Sequence, residues 1–257
     1  MNKKIVKFIK KKNKTPIVML TAYSNNISKL LDKHCDAILV GDSLANTLYG
    51  MKNTHKINLK TMIEHSKSVR KGIKNSLLIV DMPKDSYDSK KTALKNAKKL
   101  IKETKCDAIK VESNFKNQNI INYLVNFNIP VMGHIGFTPQ YMKKFKIRGT
   151  SKNEENKLIA EAIKLQEAGA FGILLECIVS KVSKKITNSV KIPTIGIGSS
   201  INCDGQILVT DDLIGLSGFY PKFVKKYCNI SDIIEKSIKK YSKDVRKKIF
   251  PKKINSY

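Results

Sequence analysis

Arginine is scarce in this chain although positive charge is not. Three of its 49 basic residues are Arg (Arg70, Arg148, Arg246), and with 21 acidic residues the net charge is +28. Arg reads bases and phosphates through a bidentate fork that Lys cannot reproduce. The lysines are spread along the whole chain, with no stripe of interleaved aromatics, so specific nucleic-acid binding is not expected. Tryptophan is absent while Lys, Asn and Ile abound, the bias that AT-rich codons impose. Weak adhesion to polyanions is all the charge itself predicts. The five cysteines (Cys35, Cys106, Cys177, Cys203, Cys228) form no CxxC and no zinc-type Cys/His spacing. They read as small hydrophobes in a reducing, cytoplasmic compartment. Cys177 has nothing beside it in sequence to activate it as a nucleophile. No run approaches the ~20 apolar residues of a membrane span, and the basic N terminus lacks the apolar core of a secretory signal.

What the chain does contain is a series of short apolar runs that stop at a polar group. Ile38-Leu39-Val40 runs into Gly41-Asp42-Ser43, and Leu77-Leu78-Ile79-Val80 into Asp81. Ala108-Ile109-Lys110-Val111 ends at Glu112, Ile129-Pro130-Val131-Met132 at Gly133-His134, and Gly172-Ile173-Leu174-Leu175 at Glu176. Runs of this length, apolar throughout, are parallel strands buried on both faces. The pattern predicts strands near 17–20, 37–41, 76–81, 107–112, 129–133, 172–176 and 193–197, with an eighth near 213–216. Helical periodicity falls at 25–34, 60–71, 90–104, 116–126, 152–168, 179–188 and 230–242. A strand–helix alternation over 257 residues without a linker predicts one α/β domain spanning 1–257, a (β/α)8 TIM barrel. Residues 1–14 are expected to form a basic helix capping the barrel, and 243–257 a frayed basic tail.

Chemistry in such barrels is built where the strands end. The groups expected there are Asp42, Ser43, Asp81, Lys110, Glu112, His134 and Glu176. Carboxylates share one pocket only if a cation neutralises them, and an oxygen-only donor set selects Mg²⁺, with Mn²⁺ as the alternative. Asp42 and Asp81 suit direct ligation and Glu112 an outer position. A 2-oxo acid chelated at the open positions would lose the hydrogen on its adjacent carbon more easily, and the metal would hold the resulting enolate. Lys110 adds positive charge there, and Glu176 is the candidate general base. Blander readings stand beside these: Asp42 and Asp81 as helix N-caps, Lys110 on an exposed edge strand, His134 as a satisfied loop residue. His34, His55 and His65 read as surface residues. The Gly196-Ile197-Gly198-Ser199-Ser200 loop lacks a dinucleotide fingerprint but leaves a phosphorylated substrate open.

From about residue 16 to 225 the chain resembles the ketopantoate hydroxymethyltransferase family. The resemblance rests on Leu20-Thr21-Ala22-Tyr23, Val40-Gly41-Asp42-Ser43-Leu44, Asp81-Met82-Pro83, Lys110-Val111-Glu112 and Gly133-His134-Ile135-Gly136-Phe137-Thr138-Pro139-Gln140. It continues through Leu174-Leu175-Glu176-Cys177, Ile195-Gly196-Ile197-Gly198, Asp204-Gly205-Gln206-Ile207-Leu208-Val209 and Pro221-Lys222-Phe223. The family implies a barrel of the phosphoenolpyruvate/pyruvate group, assembled as a homodecamer. It also implies transfer of a one-carbon unit from 5,10-methylenetetrahydrofolate to 3-methyl-2-oxobutanoate, giving 2-dehydropantoate and tetrahydrofolate on the way to pantothenate and coenzyme A. By the same resemblance Asp42 and Asp81 would bind Mg²⁺ and Glu112 its water shell. Ser43, Asp81 and Lys110 would contact the oxo acid, His134 would line the site, and Glu176 would be the base. Ser24, Lys84, Ser113-Asn114 and Ser199-Ser200 depart from the family pattern. Two rivals are a carbon–carbon lyase on the same metal site, for which no catalytic Cys loop is found, and a polyanion-binding protein.

Overall fold

In the computed structural model the structure describes residues 2–257 apart from 115, 116, 143 and 219. A short helix, α1 (Lys3–Ile9), precedes the first strand, β1 (Ile17–Thr21). The chain then runs through α2 (Asn25–Leu31), β2 (Ala37–Val40), α3 (Leu44–Thr47), α4 (Leu59–Gly72), β3 (Leu77–Asp81), α5 (Lys90–Thr104) and β4 (Ala108–Glu112). It continues with α6 (Gln118–Asn126), β5 (Val131–Gly136), α7 (Lys152–Glu167), β6 (Gly172–Glu176), α8 (Ser180–Ser189), β7 (Thr194–Ile197) and β8 (Gly205–Leu208). The eight strands pair in parallel, each with the next, and β8 pairs with β1 to close the barrel. The predicted start of α6 at 116 lies outside the described residues.

Alternation of two along each strand explains why these runs are apolar throughout. One set (Leu39, Leu77, Ile79, Ala108, Met132, Leu174, Ile195, Ile207) fills the barrel interior. The neighbouring set (Ile38, Val40, Leu78, Val80, Ile109, Val111, Val131, Ile135, Ile173, Leu175) packs outward with Met62, Leu100, Leu124, Leu158 and Ile186 of the helices. Each such side chain removed from water contributes roughly 1.5–3 kcal/mol. Ile5 and Phe8 of α1 join the interior set, with Phe8 edge-on to Phe171. Helix starts are set by short polar caps: Asn58, Ser89 and Ser151 each accept a hydrogen bond from the backbone N–H three residues on.

The eighth strand is not at 213–216, as the apolar word Leu213-Ile214-Gly215-Leu216 suggests, but at Gly205–Leu208. Gly205 lies so close to Ile17 that any Cβ would collide with the Ile17 carbonyl. That approach lets the last strand close on the first, and a strand this short and half-polar (GQIL) carries almost no hydrophobic signal.

The chain divides into two compact units, Met1–Val209 and Thr210–Tyr257. The first holds the whole barrel. The second contains α9 (Thr210–Leu213), α10 (Ile230–Arg246) and a 3-10 turn (Lys253–Asn255). Helix α10 extends four residues past its predicted end at 242, and Ile233, Ile234, Ile238, Tyr241 and Val245 along it are exposed. No helix among the described residues is long and apolar enough to cross a membrane.

Candidate active site

The strand parity that fills the interior with Leu77 and Ile79 brings Asp81 to the same face one step later. Likewise Ala108 is followed by Lys110 and Glu112, Met132 by His134, and Leu174 by Glu176. Register then sets neighbours side by side: Asp81 opposite Lys110, Glu112 opposite His134, and Gly136 opposite Glu176. The carboxyl-terminal end of the barrel is therefore lined by charge where the lower layers are oily. Asp42, two residues past β2, joins from the adjacent loop, its backbone N–H donating to Asp81 Oδ2 at 3.0 Å.

Lys110 is buried, with Nζ 2.9 Å from Asp81 Oδ1 and 3.2 Å from His134 Nδ1. Being inside a closed barrel, it is not on an edge strand. His134 lies on β5, not in a loop, with Nδ1 3.5 Å from Glu112 Oε1 and Nε2 3.2 Å from Glu176 Oε2. Neither aspartate caps a helix: the N-cap positions of α3 and α5 are Ser43 and Ser89. Ser43 stands beside the cluster with its hydroxyl 2.8 Å from that of buried Tyr23. Glu176 differs from the other acids. Its side chain is 21% exposed, against 3% for Asp81 and 1% for Glu112.

The electrostatics follow from crowding four carboxylates around one ammonium. Burial, then the Glu112 charge, pushes Asp42 up to about 6. Burial and the Asp42 charge push Asp81 to about 6 even though Lys110 opposes them. Lys110 is held charged: burial disfavours the ammonium, but Asp81, Glu112 and Asp42 outweigh it. His134 receives opposed demands. Burial and Lys110 disfavour its protonation, yet Glu112 and Glu176 raise it to about 9. The Lys110 contact requires a lone pair on Nδ1, which only the neutral ring offers, so that contact opposes the protonation the two glutamates favour. A cation drawing charge from the carboxylates would remove the pull toward imidazolium.

The donor set fits such a cation. Asp81 Oδ1 is buried and accepts no hydrogen bond, making only the ion-pair contact with Lys110. No three His, Cys, Asp or Glu side chains form a metal cage by themselves among the described residues. Mg²⁺ does not need one, since it uses one or two carboxylates and keeps water or substrate in the rest of its octahedron. Cys177, beside Glu176, is buried at φ 52°, and burial and the Glu176 charge push its thiol up to about 12, against the thiolate that a nucleophile requires.

The chain matches the family model for ketopantoate hydroxymethyltransferase over residues 2–253. It belongs to the ketopantoate hydroxymethyltransferase family. It is 53% identical to 3-methyl-2-oxobutanoate hydroxymethyltransferase of Pelagibacter ubique (strain HTCC1062), over the full length of both chains. The enzyme of that name from Clostridioides difficile (strain 630) is 46% identical over 93% of this chain and 89% of its own. Among solved structures, phosphonopyruvate hydrolase with oxalate and Mg²⁺ superposes with a TM-score of 0.58 at 13% identity, covering 98% of this chain and 93% of that one. That likeness establishes the barrel fold.

Several residues that depart from the family pattern are hydrogen-bonded in this hydroxymethyltransferase. Ser113 Oγ donates to the buried carboxylate of Glu161, and Ser199 Oγ donates to Leu175 O at 2.8 Å, tying the loop after β7 to the strand that carries Glu176. Ser200 Oγ pairs with Ser180 Oγ at 2.9 Å. Gly136 is required: at φ 102°, any Cβ on it would collide with the Glu176 carbonyl. Two residues at the site had no assigned role in the sequence reading. Gln140 and Tyr87 are buried beside Asp42 and Glu112 and bonded to each other. Gln140 ends the Gly133-to-Gln140 motif, but Tyr87 has no signal in Asp85-Ser86-Tyr87-Asp88. His55 and His65 are half-buried, not free on the surface, contacting Pro139 O at 2.9 Å and Tyr23 O at 2.8 Å.

Proposed function

We propose that the chain catalyses hydroxymethyl transfer from 5,10-methylenetetrahydrofolate to 3-methyl-2-oxobutanoate, giving 2-dehydropantoate and tetrahydrofolate with consumption of one water. The carrying observation is the convergence of Asp42, Asp81, Lys110, Glu112, His134 and Glu176 at one barrel end in a chain of this family. Asp42 and Asp81 would hold Mg²⁺, or Mn²⁺ in its place, and Glu112 would fix its waters. When bound, the ion supplies Lewis-acid polarisation of the 2-oxo group.

The remaining steps belong to side chains. Ser43, Asp81 and Lys110 orient the oxo acid, and the Lys110 ammonium stabilises negative charge as it develops on the 2-oxo oxygen. Glu176 removes the proton from C3. Its side chain is partly exposed where those of Asp81 and Glu112 are buried, so it can meet substrate entering from solvent, and His134 Nε2 lies 3.2 Å from its carboxylate. C3 then forms a bond to the folate-borne methylene carbon. Cleavage of that carbon's bond to nitrogen and addition of water release the alcohol and tetrahydrofolate.

The enzyme is further proposed to act in the cytoplasm, where the five free thiols fit a reducing environment. A homo-oligomer, a decamer by family resemblance, would cover the exposed apolar side chains of α10. Incubation with 3-methyl-2-oxobutanoate, methylenetetrahydrofolate and Mg²⁺ should yield 2-dehydropantoate. Cleavage of the oxo acid in place of addition would favour the lyase reading.

A further inference from the structure

We infer that Gln140 is a positioning residue that presets the carboxylates for the divalent ion, an assignment that rests on the magnesium reading above. Gln140 lies in the turn after β5, is 2% exposed, and spends every polar group of its side chain on this cluster. Its Nε2 donates to Asp42 Oδ2 at 2.9 Å and to Met82 O at 3.0 Å, and its Oε1 accepts from the Tyr87 hydroxyl. Its backbone N–H donates to Glu112 Oε2 at 3.0 Å.

The orientation of the amide is dictated by chemistry. A carboxylate and a main-chain carbonyl only accept, so the NH₂ must face Asp42 and Met82, and the carbonyl must face Tyr87, whose hydroxyl donates. One residue thereby touches the ends of three strands: Asp42 after β2, the turn after β3 through Met82, and Glu112 of β4. Repulsion between buried carboxylates would otherwise drive Asp42 and Glu112 apart, and each is pinned through one oxygen. A neutral amide does this without cancelling the negative charge that attracts the ion. A lysine at this place would compete with the metal for Asp42.

The test is Gln140→Leu, similar in size and without a donor, with Mn²⁺ as the probe. Mn²⁺ affinity is measured by calorimetry in the absence of oxo acid, and thermal melting is recorded in chelator. Loss of a donor to a buried carboxylate should weaken Mn²⁺ roughly 10- to 100-fold. The Michaelis constant for the oxo acid should rise, and raising Mn²⁺ should recover most of it. A residue that merely braces the loop would lower the melting temperature and leave Mn²⁺ affinity of the folded protein unchanged, and that result overturns the assignment. Should Gln140→Leu fail to fold, Tyr87→Phe removes the hydroxyl that orients the amide. It should weaken Mn²⁺ on the order of 3-fold, and unchanged affinity there would equally overturn it. Absence of divalent binding by the wild-type protein would defeat the magnesium reading and this assignment together, whereas binding that Gln140→Leu retains defeats this assignment alone.

Discussion

The two ends of the barrel use the same residue type in opposite ways. At the amino-terminal end each aspartate is matched to backbone donors. Asp32 accepts from the N–H groups of Lys74, Asn75 and Ser76, Asp36 from Val18, Asp107 from Leu78, and Asp204 from Asn13 and Thr194. Lys11 and Lys12 add ion pairs to Asp36 and Asp204. Burial opposes the charge on Asp32, but its three backbone donors outweigh that and hold it below the ordinary carboxylate range. At the carboxyl-terminal end the acids face one another, and Asp42 and Asp81 rise to about 6. One end is settled by hydrogen bonds that the fold supplies. The other crowds carboxylates that the fold does not match donor for donor, as expected where stability yields to function.

The largest effect that would break this comparison is catalytic. Glu176→Gln should slow exchange of the C3 proton of 3-methyl-2-oxobutanoate with solvent by roughly 10²–10⁴-fold, the usual worth of a positioned base. Mg²⁺-dependent binding of the oxo acid should persist, because Glu176 is not among the proposed ligands. Exchange followed by NMR in deuterated buffer measures it, and wild-type rates in the variant would place the base elsewhere.

Next comes the opposite end. Asp204 has a nearly buried side chain and accepts from two backbone N–H groups, from the Thr194 hydroxyl and from Lys12. Asp204→Ala should destabilise the fold by roughly 1.5–3 kcal/mol, the range for hydrogen bonds to a charged group. Proton exchange per folded molecule should be unaltered. Denaturant titration together with the exchange assay separates the two, and an Asp204→Ala enzyme with normal stability and slow exchange would invert the assigned roles of the ends.

Much of the carboxyl-terminal end was legible in the sequence because a strand's period of two is simple. Once Leu77 and Ile79 are interior, Asp81 must be, and the same step places Glu112, His134 and Glu176. Harder to read were features that depend on contact between distant segments. Gln140 reaches Asp42 across 98 positions in sequence, and nothing local marks the meeting. The last strand escaped because Gly205 is chosen for closeness to Ile17, a tertiary demand that weakens rather than strengthens the hydrophobic pattern. Leu213-Ile214-Gly215-Leu216 had the stronger pattern and forms no strand.

The smallest effect lies in the pH dependence of stability, and it should slope in opposite directions at the two ends. Asp42 and Asp81 are raised from 3.8 to about 6, so between these values the folded protein holds protons that the unfolded chain has already released. Stability in chelator should therefore fall as pH climbs through that window. Asp32, lowered, contributes stability that is complete above its unfolded value and lost only as pH drops through its folded one. The proposed Mg²⁺ site requires ionised acids, so Mg²⁺ should raise the melting temperature at pH 7.5 but scarcely at pH 4.5, where protons hold its place. Asp42→Asn should flatten the decline between pH 4 and 6 in chelator and remove much of the Mg²⁺ response, both read from melting curves. An Asp42→Asn curve that runs parallel to the wild-type curve across that interval would mean that the Asp42 carboxylate is already satisfied by the fold, and that the two ends are alike.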